Sequence, residues 1–193
     1  MTDQKPNRFS RKVGRISLAI VAALALVIGL ASPAYAGFPH FKTVSVSLVD
    51  SSQASARSAT SSASTSVSLP DLQFRWTEVG LGSTGDGVDF TVSTTVSVTF
   101  GCVNGGGRHP SATNKTTITE PVDQSVGPLT VDKNGQITSS VVLDIPAVSP
   151  TGFSCPSGQT LVALSAKFTD NTITDTTNGV AATDEDISVT LFP

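Results

Sequence analysis

Val88-Asp89-Phe90-Thr91-Val92-Ser93-Thr94-Thr95-Val96-Ser97-Val98-Thr99-Phe100-Gly101-Cys102 is the stretch that decides the fold. Val88, Phe90, Val92, Thr94, Val96, Val98, Phe100 and Cys102 fall on one parity. Asp89, Thr91, Ser93, Thr95, Ser97 and Thr99 fall on the other. A helix places apolar residues three and four apart, whereas strict alternation over this length is the mark of a strand with one buried face. Cys102 has the core parity, so its sulfur is predicted to point inward at the strand's end.

The same rule organises the flanks. Val44, Val46 and Leu48 alternate with Ser45 and Ser47. Leu72, Phe74 and Trp76 alternate with Gln73, Arg75 and Thr77. Ile137, Ser139, Val141, Leu143 and Ile145 share one face of a strand ending at Pro146. Val162, Leu164, Ala166 and Phe168 alternate with Ala163, Ser165 and Lys167, and Ile187, Val189 and Leu191 close the chain. Thr116–Thr119 reads as a weaker strand, cut off at Pro121 because proline removes a ladder donor. Asn134-Gly135 and Asn178-Gly179 supply residues that tolerate positive φ, and both predict hairpins: the first between Leu129–Val131 and Ile137–Leu143, the second between Ile173–Thr177 and the last strands. Seven or eight short strands with regular turn signals predict an all-β, antiparallel, immunoglobulin-like β-sandwich with one disulfide. The antibody arrangement of a tryptophan between the two cysteines is missing, since Trp76 precedes both. Residues 51–68 are almost pure Ser, Ala and Thr, too poor in large apolar groups to bury, and are expected to form a flexible loop.

The N-terminus reads as a leader. Lys5, Arg8, Arg11, Lys12 and Arg15 precede an apolar run from Ile16 to Leu30, and Ala34-Tyr35-Ala36 is a small-x-small cleavage triplet. A run of 15 residues falls short of the roughly 20 needed to span a bilayer. Residues 1–36 are therefore expected to be a signal peptide and residues 37–193 a single secreted, extracellular domain with no membrane anchor after cleavage. Five of the 12 basic and one of the 15 acidic residues lie in the leader, leaving seven against fourteen and a net charge of −7. That charge argues against nucleic acid as a partner.

Cys102 and Cys155 are the only cysteines. In an exported chain they most simply form one disulfide. No C-x-x-C pair tunes a thiolate, and four well-spaced zinc ligands are not available, so no metal or cofactor is expected. His40 and His109 are the two histidines, and no G-x-S-x-G elbow occurs. Asn104, Gly105, Gly106, Gly107, Arg108 and His109 form a candidate interaction loop at the end of the long strand. Its glycines feed Pro110 rather than a helix, so they are not a phosphate cradle. Asp86-Gly87-Val88-Asp89 and Asp184-Glu185-Asp186 offer hard oxygen ligands, but neither matches a calcium loop, and solvated acidic turns are the simpler reading.

Several stretches carry a resemblance: Thr77–Gly82, Cys102–Gly107, Pro110 with Ala112, Asn114 and Lys115, Cys155–Val162, and Thr174–Val180. Together they resemble small exported β-sandwich proteins of actinobacteria such as streptomycetes, over roughly residues 77–180. The likeness implies compartment, disulfide and β architecture, and no activity. From these features the chain is expected to be a non-catalytic binding or assembly protein, with an extracellular protein or the cell wall as partner. The alternative is a secreted enzyme inhibitor or hydrolase that uses the loop 104–110.

Overall fold

Strand β3, Val88–Asn104, runs down the middle of the larger sheet and realises the alternation read from its sequence. Val88, Phe90, Val92, Val96, Val98 and Phe100 are buried, and the Ser and Thr between them are half-exposed. The computed structural model describes residues 37–49, 66–82, 87–104 and 114–192. Around β3 lie β1 (His40–Val49), β2 (Asp71–Val79), β4 (Lys115–Leu129), β5 (Gln136–Leu143), β6 (Gln159–Asp175), β7 (Val180–Thr183) and β8 (Ile187–Thr190).

The strands form two antiparallel sheets. One has the order β1-β2-β5. The other has the order β4-β3-β6-β7, with β8 also pairing β6. The first, second and fifth strands oppose the third, sixth and seventh as in an immunoglobulin constant-type sandwich, but the fourth strand, which lies with the first, second and fifth there, here pairs β3 in the opposite sheet. Leu72, Phe74 and Trp76 from β2 meet Phe90, Val92, Val96, Val98 and Phe100 from β3 and Phe168 and Ile173 from β6. The Trp76 and Phe90 rings lie 5.2 Å apart at 52°, a tilted aromatic pair that spans the two sheets. Trp76 is thus an ordinary core aromatic on β2.

Three local readings are corrected. Pro121 does not end a strand: β4 continues to Leu129, and Pro121 stands opposite Thr95. β4 is an edge, where a missing N–H on the outer side costs no ladder bond. Its alternation is legible once Pro121 is passed, with Ile118, Val122 and Val126 turned to the core and Thr117, Thr119, Asp123 and Ser125 to solvent. The second correction concerns Asn134-Gly135, which does not join two paired strands. β4 pairs β3 and β5 pairs β2, so the turn carries the chain from one sheet to the other. Asp132 organises it by accepting from the N–H groups of Asn134 and Gln136 at 2.8 and 2.9 Å. Gly135 has φ 72°, and a Cβ there would lie 3.1 Å from the Gly82 nitrogen.

The third correction is in β6. Val162–Phe168 and Ile173–Asp175 are one strand of 17 residues, not two. Two register shifts against β3 bend it. At the first, Ala163 turns inward and Leu164 becomes half-exposed, reversing the predicted parity there. At the second, Asp170 takes φ 55° and Asn171 turns inward. A bulge inserts an extra residue and so resets the parity of everything beyond it. The Asn178-Gly179 hairpin does join β6 to β7 as expected, with Asp175 opposite Val180.

Residues 51–65 of the Ser/Ala/Thr-rich segment and the leader lie outside the described residues. The end of that segment is ordered, because Val67 is buried and exchanges backbone hydrogen bonds of 2.9 and 3.1 Å with Val148. Among the described residues no helix is long and apolar enough to cross a membrane.

Candidate functional site

The two ends of the sandwich carry its least ordinary chemistry. At one end β3 pairs β6 through Cys102↔Leu161 and Asn104↔Gln159. Cys102 is buried, as its parity predicts, and bonds Cys155 with a Cα–Cα separation of 5.5 Å. Both halves of the predicted disulfide are therefore in place. Asn104 is the exposed last residue of β3. Gly105, Gly106, Gly107, Arg108 and His109, the rest of the candidate interaction loop, lie outside the described residues. His40 is exposed at the start of β1 and bonds the Phe38 carbonyl.

At the opposite end, β2 and β6 each turn a carboxyl into the core. Glu78 follows Leu72, Phe74 and Trp76 on the inward parity of β2, and Asp175 follows Asn171 and Ile173 on that of β6. Both side chains have no solvent exposure. Asp175 is well satisfied: it accepts from the N–H groups of Thr177 and Asn178 at 2.8 Å each, and from Asn178 Nδ2 at 2.6 Å. Glu78 has no donor for either oxygen. Burial first, then the charge of Asp175 and a hydrogen bond to it, push its pKa from 4.5 to about 8. The two observations agree once the proton is placed. As a carboxylate Glu78 finds no donor; as an acid its O–H has an acceptor in Asp175. At neutral pH Glu78 is accordingly the protonated member of a buried carboxyl pair. The Trp76 indole N–H, two residues away on the same strand face, is buried without an acceptor.

This pair was missed in the sequence, although a signal existed. Glu78 extends the alternation of Leu72, Phe74 and Trp76 by one more step, and an acid at core parity is rare unless paired.

The acidic segment at 184–186 is a set of ties rather than a cation site. Asp184 accepts from the Val46 N–H of β1 at 2.6 Å, joining the two sheets. Asp186 pairs with Lys167 at 2.7 Å, half-exposed. Asn171 Nδ2 donates to the Glu185 carbonyl at 2.7 Å and its Oδ1 accepts from Thr94 Oγ1 at 2.8 Å, so the bulge of β6 is locked to β3 and to this segment. Asp86, the first residue of the other acidic turn, lies outside the described residues. Among the described residues no three His, Cys, Asp or Glu side chains converge as a metal site would require.

The outer faces are dense in hydroxyls. On the larger sheet, Thr91, Ser93, Thr95, Ser97 and Thr99 of β3 lie between Ser125, Thr119 and Thr117 of β4 and Thr174, Thr172, Thr169 and Ser165 of β6. Neighbouring hydroxyls bond across strands, Ser97 with Thr119 at 2.9 Å and Thr99 with Thr117 at 3.2 Å. On the smaller sheet a shallow depression of about 320 Å³ is lined by Thr43, Ser45, Arg75, Thr77, Thr138 and Ser140 among others.

No family model, curated protein or solved structure matches this chain.

Proposed function

We propose that the protein is a secreted, non-catalytic β-sandwich that acts outside the cell by binding or assembly at the cell envelope. The observation that carries this reading is the hydroxyl-rich outer face of the β4-β3-β6 sheet, interrupted by Pro121, Asp123 and Lys167 in the rows beside β3. A broad, twisted sheet surface of short polar side chains offers many hydrogen bonds to a hydroxyl-bearing polymer or an exported protein. Buried Asp175 and Asn171 are committed to holding a turn and a bulge in place. The leader-like N-terminus supports an extracellular site of action, and the disulfide is compatible with one.

The test is co-sedimentation of the purified protein with isolated cell walls, alongside capture of proteins from the culture medium. Retention that falls when Ser97 and Thr99 are both replaced by Asp supports the reading. No retention by walls and no exported partner would remove it.

A further inference from the structure

The three-stranded sheet ends in β5, which pairs with β2 on one side and, among the described residues, with no strand on the other. Such an edge offers N–H and C=O groups from alternate residues to any strand laid beside it. The other edges carry features that blunt this tendency. β4 contains Pro121 and Pro128 together with Glu120 and Asp123. β1 has a register shift between Phe41 and Thr43, carries Lys42, and gives its Val46 N–H to Asp184. β7 and β8 have four residues each. β5 has none of these devices. Its sequence, Gln136-Ile137-Thr138-Ser139-Ser140-Val141-Val142-Leu143, holds no charge, no proline and no glycine. Val142, 41% exposed, is one of two large apolar side chains left in solvent among the described residues.

We propose that β5 is a self-association edge, through which two copies of this chain pair antiparallel about a two-fold axis and join their three-stranded sheets into one of six strands. Side chains that face each other across a ladder must lie on the same side of the sheet, so the axis has to pass through a residue rather than between two. Centred on Ser140, the pairing sets Thr138 against Val142 on the outer face. It sets Ile137 against Leu143 and Ser139 against Val141 on the inner face. The strand therefore matches itself, with Ile137 beside Leu143 inside and Val142 covered outside. Charge selects the antiparallel sense. Lys133 precedes the strand and Asp144 follows it. Antiparallel pairing carries each Lys133 toward the other copy's Asp144, whereas parallel pairing sets like beside like. The remaining flanking charge, Asp132, is engaged in its own turn.

An eight-residue edge buries less than the roughly 1,600 Å² of a standard interface, so a weak, concentration-dependent dimer is expected. The inference rests on the assembly part of the proposed function, but its test is separate: failed self-association overturns this inference alone, and failed retention on walls overturns the function.

The experiment is sedimentation equilibrium of the purified protein, disulfide intact, from about 1 µM to about 1 mM, a span matching weak dissociation constants. The mass is expected to rise toward twice that of the monomer. Two double variants, Thr138→Lys with Val142→Lys and Thr138→Glu with Val142→Glu, put like charges in register across the axis. Each is expected to weaken association at least about tenfold, and their equimolar mixture to restore it, because opposite charges then meet. Both positions are exposed on the outer face, and Ser140→Lys alone, also exposed and facing its own copy on the axis, serves if a double variant fails to fold. A monomer at every concentration overturns the proposal and leaves the edge to a foreign strand. Undiminished association of the lysine variant, or a mixture no more associated than its components, overturns it equally.

Discussion

The two ends of this sandwich are held in opposite ways. At the Cys102 end the tie is covalent, indifferent to protons and open to reductants. At the Glu78 end the tie is a proton that buried Glu78 keeps beside Asp175, indifferent to reductants and open to base. The same strands, β3 and β6, run between them, so one fold carries two independent sensitivities some fifteen residues apart. The lesson is that a buried acid must either be well supplied with donors, as Asp175 is, or keep its proton, as Glu78 does, whereas a disulfide needs neither.

The largest expected effect tests the proton. Glu78 binds a proton in the folded state up to pH of about 8 but loses it near 4.5 when unfolded. The folded protein thus holds the extra proton between these values, and stability falls as pH rises through that window. The full loss is up to roughly 5 kcal/mol, an upper figure for a shift of this size. Denaturant melts between pH 5 and 9 should show the decline, and Glu78→Gln should flatten it. Asp175→Asn should shrink it, because it takes the charge away from Glu78 but loses bonds of the turn. A flat wild-type profile would erase the contrast between the ends.

Reduction tests the other end. The Cys102–Cys155 bridge spans a sequence separation of 53, and chain-entropy reasoning gives it about 4 kcal/mol. Melts with and without reductant should differ by that order at pH 6 and at pH 9 alike. If the loss on reduction depends on pH, the ends are coupled and not independent. A smaller effect is expected at Gly135, which holds φ 72° against Gly82 beside the carboxyl end. Gly135→Ala should cost about 1–2 kcal/mol, the price of a left-handed residue with a Cβ. It should leave the pH slope intact, as measured by the same melts. Smallest of all is Lys167→Ala, which removes a half-exposed ion pair away from both ends and should change stability by less than about 1 kcal/mol. A loss beyond that would mean that Asp186 anchors β8.

The strands of the sandwich were largely legible in the sequence because one face of each packs on the core and the other meets water. β3 is the clearest instance, its parity unbroken from Val88 to Phe100. The pairing was less legible. Asn134-Gly135 reads as a hairpin because local chemistry specifies the turn but not the partners, and its flanking strands go to different sheets. The bulges of β6 were hidden for a related reason: Leu164 and Asp170 shift register only against β3, a partner some seventy positions away. Of the candidate sites, the cysteine pair could be read from compartment and count. The carboxyl pair could not be assembled from sequence, since nothing local says that Glu78 and Asp175 meet across the core.

The disulfide also decides how two copies can combine. Its ring contains β4 and β5, one edge strand from each sheet, and the connection 130–135 between them. Exchange of halves between two chains by opening that connection would put Cys102 and Cys155 of each chain in different lobes, where they could not reach one another. While the bridge stays within one chain, a second copy can be added beside β5 but cannot trade places through this hinge. Reduction lifts the restriction, so the oxidised protein is confined to reversible addition and the reduced one is free to interchange.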